Sequence, residues 1–159
     1  MVVIDSFLDK KTLKKLNNFN LWQQYSFDKT NKFYWINKKQ KSKNIFESII
    51  IDKIIKKVDK EIISKSIGYE YWINILNKKL DWHLDKDESL LNTSIKNAVY
   101  YGYPHKVKGG NLLTDKGHNI EPKYNRLVIF DNTLHAVDDI TSGERVALSL
   151  NFWYHKPVL

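Results

Sequence analysis

The chain has 159 residues, 42% of them hydrophobic and 28% charged, which is the length of one domain and too apolar for a disordered chain. It contains no cysteine, so disulfides, thiolate zinc sites and cysteine nucleophiles are excluded, and any metal must be held by His, Asp or Glu. The net charge of +8 could attract nucleic acid, but only Arg126 and Arg145 of the 26 basic residues are arginine, so bidentate contacts to phosphate and guanine are scarce and nucleic acid is possible but not favoured.

The start, Met1-Val-Val-Ile-Asp5, lacks the basic and long apolar regions of a signal peptide, and no apolar run approaches the roughly 18 residues of a membrane span. The expectation is a cytoplasmic protein without a membrane partner. From Ser6 to Phe19, apolar residues at Phe7, Leu8, Leu13 and Leu16 predict an amphipathic helix capped by Asp5 or Ser6. Asn20 to Lys43 mixes aromatic and polar residues without a sustained period and reads as loop with one strand at most. Asn44 and Glu47 then form a capping box, and Ile45, Phe46, Ile49, Ile50, Ile54, Ile55, Val58, Ile62 and Ile63 continue at helical spacing. So many β-branched residues lower the intrinsic propensity of this helix, so packing against a sheet must hold it.

After Gly68 the composition turns to strand formers, beginning with Tyr69 to Leu76. Further strands are predicted at Leu80–Lys86, Ala98–Tyr103, Gly110–Thr114, Arg126–Phe130, His135–Asp138 and Glu144–Tyr154. Turns are expected at Asn77 to Lys79, Pro104 to Gly110, Asp115 to Pro122, Asp131-Asn132 and Asp139 to Gly143. Helices followed by about seven antiparallel strands argue for an α+β protein in which helices support a jelly-roll-like sandwich. One domain is expected over 1–159, with supporting helices and loop in 1–66 and the strand-rich core in 69–155.

His83-Leu84-Asp85 is an H-x-D on a predicted strand, where period two turns both ligand-capable side chains to one face. Alone it says little, since 5 His and 12 Asp in this chain produce about 0.4 such triplets by chance. A third ligand must come from elsewhere, and His135 opens a strand 52 residues later. Two His and one carboxylate with open positions is the set used by non-haem Fe(II) oxygenases. By itself, a lone His at a strand start is more often a packed or capping residue. Arg145 lies ten residues after His135 across a predicted turn, so a hairpin would bring it into the same cavity, where it could meet a dicarboxylate bidentately. Arginine is rare enough in this lysine-rich chain that its presence there argues for a role, against the alternative of a surface strand residue. His105, His118 and His155 fall in turns or near the C-terminus and read as solvent-exposed.

This order of H-x-D, distal His and basic residue resembles the prolyl 4-hydroxylase branch of the Fe(II)/2-oxoglutarate oxygenases. The resemblance extends over about residues 69–155 through Val99-Tyr-Tyr101, Lys108-Gly-Gly110-Asn-Leu-Leu113, the run from Ile120 to Phe130, and Arg145-Val-Ala-Leu-Ser149. Together these are similar to the oxygen-sensing prolyl hydroxylases and to compact bacterial and phage relatives. The resemblance implies a double-stranded β-helix, a cupin-like jelly roll, with Fe(II) on His83, Asp85 and His135. It also implies 2-oxoglutarate on Arg145, with Tyr101 on its distal carboxylate, Ser149 on the same wall and O2 as the second co-substrate. Tyr101 could instead be a core aromatic, and Trp153 could shape a substrate groove or simply pack. The stretch from Asp85 to Ala98 is short, so any lid over the substrate is abbreviated or supplied by Asn20–Lys43.

The function expected from this resemblance is hydroxylation of a C–H bond with release of succinate and carbon dioxide, first of all prolyl 4-hydroxylation of a peptide or protein. The same chemistry on a free amino acid, another side chain or an alkylated nucleobase is one alternative. A non-catalytic binding module on the same fold is another.

Overall fold

The computed structural model describes residues 1–87, 89 and 92–158. Among these, five short α-helices and twelve strands occur: α1 Lys10–Leu16, α2 Phe19–Gln24, α3 Phe27–Thr30, α4 Ile45–Ile49 and α5 Lys60–Lys65, and β1 Val2–Ile4, β2 Tyr34–Asn37, β3 Gly68–Leu76, β4 Leu80–His83, β5 Lys96–Tyr101, β6 Val107–Gly109, β7 Leu112–Thr114, β8 Asn119–Ile120, β9 Arg126–Asp131, β10 His135–Val137, β11 Ile140–Gly143 and β12 Arg145–Trp153. A six-stranded sheet runs β1-β9-β5-β12-β3-β2, a four-stranded sheet runs β4-β10-β7-β8, and β11 and β6 form a separate ribbon.

The large sheet is built around β12, all nine of whose residues are buried. Successive side chains of a strand point to opposite faces, so Val146, Leu148, Leu150 and Phe152 join Trp22, Phe46, Ile50 and Ile54 in the core between sheet and helices. On the other face Ala147 packs with Val99, Tyr101, Val128 and Phe130 of the same sheet and with Leu112 of β7. That second cluster is the filling between the two sheets of the double-stranded β-helix. Polar residues interrupt it where β12 presents Arg145, Ser149 and Asn151, all buried.

The N-terminal region departs from the sequence-based expectation in three places, each with a local cause. Asp5 is taken by an ion pair with Arg126 (2.6 Å) and cannot cap, so α1 starts later, capped by Asp9 through Thr12 N at 2.9 Å. The segment expected to be loop holds α2 and α3 as well as β2, pinned by burial of Trp22, whose Nε1 donates to Leu16 O at 2.8 Å. The isoleucine-rich helix is interrupted: after α4 the chain widens into a π-helix over Ile50–Ile54 and tightens into a 3-10 turn, and Val58 is extended before α5 begins. Crowded β-branched side chains resist a regular helix, and the buried contacts of Ile49, Ile50 and Ile54 hold the irregular path in place. Its N-terminus is capped as expected, with Asn44 accepting from Glu47 N at 2.9 Å, although Glu47 reaches back to Lys43 N (2.6 Å).

Three of the expected turns also carry strands, β6, β8 and β11. Gly109 makes the β6–β11 ribbon possible: it sits at φ +77, and a Cβ there would lie 2.0 Å from Asp139 O, so only glycine fits.

Candidate metal centre

His83 and His135 are direct partners in the antiparallel pair β4–β10, and their rings lie 4.3 Å apart between centroids. Each ring is oriented in the same way, Nδ1 at hydrogen-bond distance from the backbone oxygen two residues earlier: Asp81 O at 2.7 Å for His83 and Thr133 O at 2.8 Å for His135. A carbonyl only accepts, so each Nδ1 carries a proton and Nε2 is the ring nitrogen that is left to meet a metal. Burial holds the His135 pKa below its ordinary value against the opposing influence of the nearby Asp85 carboxylate, which favours the neutral, ligating imidazole.

Asp85 was expected on the same strand as His83. It lies past the end of β4, and its place is set by two asparagines. Asn132 brackets its backbone, accepting from Asp85 N (3.3 Å) and donating to Asp85 O (3.0 Å). Asn97 on β5 donates to Asp85 Oδ2 at 2.6 Å, and its own Oδ1 is fixed by the Ser94 hydroxyl. The carboxylate thus faces both imidazoles, Oδ1 at 3.6 Å from His83 Nε2 and Oδ2 at 3.8 Å from His135 Nε2.

One ligand atom from each of the three residues lies within 4.8 Å of the others. Bound to one ion at about 2.0–2.2 Å, adjacent donors would stand about 3 Å apart, so a contraction of no more than about 2 Å from the 4.8 Å limit would complete a metal site. Two imidazoles and one carboxylate gathered on one side suit a borderline divalent ion and would leave its other positions open. The donor set therefore fits Fe(II). Because Asn97 orients a ligand that it does not itself replace, Asn97→Ala is expected to weaken Mn(II) or Co(II) binding about 10- to 100-fold. Unchanged affinity in a metal titration would show that Asn132 alone positions Asp85.

On the same side of the large sheet Arg145 is 2% exposed. Its Nε donates to Gly110 O at 3.0 Å and its Nη2 to the Tyr101 hydroxyl at 2.9 Å, with the guanidinium 5.0 Å from the Tyr101 ring centre. Gly110, at φ +72, lets this happen, since a Cβ there would stand 3.2 Å from Arg145 Cδ. No carboxylate among the described residues pairs with Arg145. A buried cation with neutral partners only is costly unless an anion joins it. Tyr101 packs with Phe130 in the cluster between the sheets, and Phe130 contacts the His135 ring edge-on at 5.3 Å, so the guanidinium and the three donors share one interior.

The route by which Arg145 gets there differs from the expected hairpin. β10 pairs with β4 and β7, whereas β12 pairs with β3 and β5; the intervening residues form β11, which pairs with β6. Arg145 reaches the interior from the opposite sheet. Ser149 is buried on the same face with its Oγ accepting from Asn74 Nδ2 at 3.1 Å.

His105 is not the solvent-exposed residue its turn suggested. Its Nδ1 accepts from Val146 N and its Nε2 donates to Pro122 O, both at 2.9 Å, so it clips two loops to the start of β12, and burial lowers its pKa. His118 is likewise half-buried, with Nδ1 2.8 Å from the Thr114 hydroxyl, while His155 is exposed as expected. Trp153 is buried and donates from Nε1 to Glu70 Oε2 at 3.0 Å.

Glu70 was not singled out from the sequence. It is 5% exposed, and burial pushes its pKa up to about 7. It lines a cavity of about 130 Å³ together with Asp85, Phe33, Trp72, Leu84 and Asn151. Phe33 belongs to the stretch expected to supply a lid; the other candidate, the segment after Asp85, includes residues 88, 90 and 91, which lie outside the described residues.

Residues 70–155 match the family model of the 2OG-Fe(II) oxygenase superfamily. The sequence matches no curated protein significantly. Among solved structures the chain is similar to a prolyl 4-hydroxylase from Pseudomonas putida, with TM-score 0.70 and 18% identity over 98% of this chain and 92% of that one. It is also similar to the viral collagen prolyl hydroxylase of Paramecium bursaria Chlorella virus-1 in its 2OG complex, with TM-score 0.60 and 18% identity over 99% and 95% of the two chains. A third is a prolyl hydroxylase from Trichoplax adhaerens in complex with a hypoxia inducible factor oxygen degradation domain peptide fragment, with TM-score 0.58 and 16% identity over 96% and 82%.

Proposed function

The chain belongs to the 2OG-Fe(II) oxygenase superfamily, and from that premise we propose that it hydroxylates a prolyl residue of a peptide or protein, using His83, Asp85 and His135 to hold iron and Arg145 to hold the co-substrate. It is a 2-oxoglutarate-dependent dioxygenase, and its cofactors are Fe(II), 2-oxoglutarate and O2. When bound, these supply the oxidation of a C–H bond to an alcohol, with 2-oxoglutarate converted to succinate and carbon dioxide. In this reading residues 1–159 act as one catalytic domain.

The observation that carries the reading is a guanidinium buried without a carboxylate in the same interior as two imidazoles and a carboxylate that converge. His83 Nε2, His135 Nε2 and one Asp85 oxygen bind the metal on one face; their partners Asp81 O, Thr133 O and Asn97 keep them aimed. Arg145 and the Tyr101 hydroxyl receive the distal carboxylate of 2-oxoglutarate, and the apolar side chains of Val99, Val128 and Phe130 keep water from it. Ser149 lines the same wall. The prolyl substrate class is supported by the likeness of the fold to three prolyl hydroxylases, one of them bound to a peptide.

The test is succinate formation from 2-oxoglutarate with added Fe(II), with and without proline-rich peptides. Peptide-stimulated succinate with a peptide mass increase of one oxygen is expected. Fe(II)-dependent succinate that no proline peptide stimulates would remove the prolyl assignment, and no succinate at all would leave a binding module as the better account.

A further inference from the structure

We infer that Glu70 is a specificity-determining residue, its carboxyl receiving an ammonium group of the substrate in the cavity beside Asp85. This rests on the reading that Asp85 belongs to the iron site, because only then does the cavity adjoin the reacting carbon.

The placement follows from register. Glu70 on β3 pairs with Asn151 on β12, and Asn151 pairs with Asn97 on β5, so the three stand in one row across the sheet, on the face that looks into the interior. Asn97 is the residue that holds Asp85. Glu70 is therefore two strands, about 10 Å, from the strand that orients the ligand carboxylate. Arg145 lies six residues back along β12 from Asn151, a separation of about 20 Å, so Glu70 and the co-substrate anchor occupy opposite ends of the site.

The chemistry of the cavity is specific. Glu70 Oε2 accepts from both Asn151 Nδ2 (3.2 Å) and Trp153 Nε1 (3.0 Å), which fixes the plane of the carboxyl. Oε1 has no hydrogen-bond partner among the described residues, so Glu70, which lines the cavity, keeps one oxygen uncommitted for a ligand there. A glutamine would serve those two donors equally well through its carbonyl oxygen, so holding Asn151 and Trp153 does not explain a carboxyl at a buried position where ionisation is costly. Phe33 and Trp72, edge to face at 5.1 Å, add aromatic walls that favour a cation. Lys86, which also lines the cavity, is exposed, and water screens its charge. A cavity of about 130 Å³ is of the size that admits one small ring or a short side chain, since about 150 Å³ holds benzene. A compact ammonium group matches all of these features. It can come from a basic side chain beside the oxidised residue or from the α-amino group of a free amino acid.

Binding to the protein loaded with Mn(II) and 2-oxoglutarate separates these sources and needs no turnover. Calorimetry would compare two proline peptides that differ only in lysine or norleucine next to proline, and L-proline with N-acetyl-L-proline. In one pair the charged member is expected to bind about 10- to 150-fold more tightly, the range for a hydrogen bond to a charged group; which pair shows it identifies the source. Glu70→Gln, which keeps an acceptor for Asn151 and Trp153 but turns a donor toward the cavity, is expected to erase that preference. Equal binding within both pairs, or a preference that survives in Glu70→Gln, overturns the inference while leaving the oxygenase reading intact. If the Mn(II)-loaded wild-type protein does not bind 2-oxoglutarate, the oxygenase site fails and this inference fails with it.

Discussion

His135→Ala, His83→Ala and Asp85→Ala should each reduce substrate-dependent and uncoupled succinate formation to background, while leaving a folded protein. The loss should exceed the roughly 100-fold that removal of a partner behind a metal ligand costs, because an open site built on three protein ligands cannot spare one. The fold should survive because none of the three side chains fills a hydrophobic core. The His83 side chain is 34% exposed and that of Asp85 13%, and His135, though buried, stands at the border of the apolar cluster with its ring 5.3 Å from that of Phe130. Circular dichroism should match wild type, and a Co(II) or Mn(II) titration should lose its stoichiometric end point. Full turnover in any of the three variants would remove that residue from the site.

The convergence of His83, Asp85 and His135 was only partly legible: alternation put His83 on the inner face, but Asp85 lies beyond β4, where Asn97 and Asn132 rather than strand period place it. The scarcity of arginine made Arg145 stand out among 24 lysines. β12 was legible for the same reason as most of the large sheet, since its apolar residues alternate with Ala147, Ser149 and Asn151. What stayed hidden depends on contacts distant in sequence. Asn97 and Asn132 read as ordinary polar residues until the fold brings them to Asp85, although Asn97 shares the phase of Val99 and Tyr101 along β5, and a polar residue in an inward phase is a usable signal. Glu70 carried the same signal on β3, in phase with Trp72 and Asn74.

The short strands β6 and β11 were hidden because glycine and proline mark them as turns. Each is four residues or fewer and exists only through the other, so no local period reveals it. Treating the stretch between β10 and β12 as a simple turn gave the right location for Arg145 by the wrong path: it faces the metal centre from the opposing sheet. The break in the isoleucine-rich helix went against its periodicity, which read as one helix from Ile45 to Ile63; packing, the one force left to hold so β-branched a segment, settled on an irregular path instead.

Arg145→Ala tests the co-substrate separately from the metal, and its expected effect is a roughly 30- to 4,000-fold loss of 2-oxoglutarate affinity with iron binding nearly unchanged. The guanidinium is 2% exposed and its protein partners are neutral, Gly110 O and the Tyr101 hydroxyl, so in the proposed complex the distal carboxylate would be the charge that balances it. Truncation would leave that carboxylate desolvated opposite a single phenol, a loss on the order of 2–5 kcal/mol, which converts to the stated range. Arg145→Lys should recover part of the affinity, because the ammonium restores the charge but not the planar fork that reaches Gly110 O and Tyr101 together. Metal affinity should hold because Arg145 contributes no donor to the three-residue set. Calorimetry with 2-oxoglutarate on the Mn(II)-loaded variants, beside a metal titration of the same samples, separates the two sites. Unaltered 2-oxoglutarate affinity in Arg145→Ala with metal loading intact would place the co-substrate elsewhere, and the buried guanidinium would then need another anion.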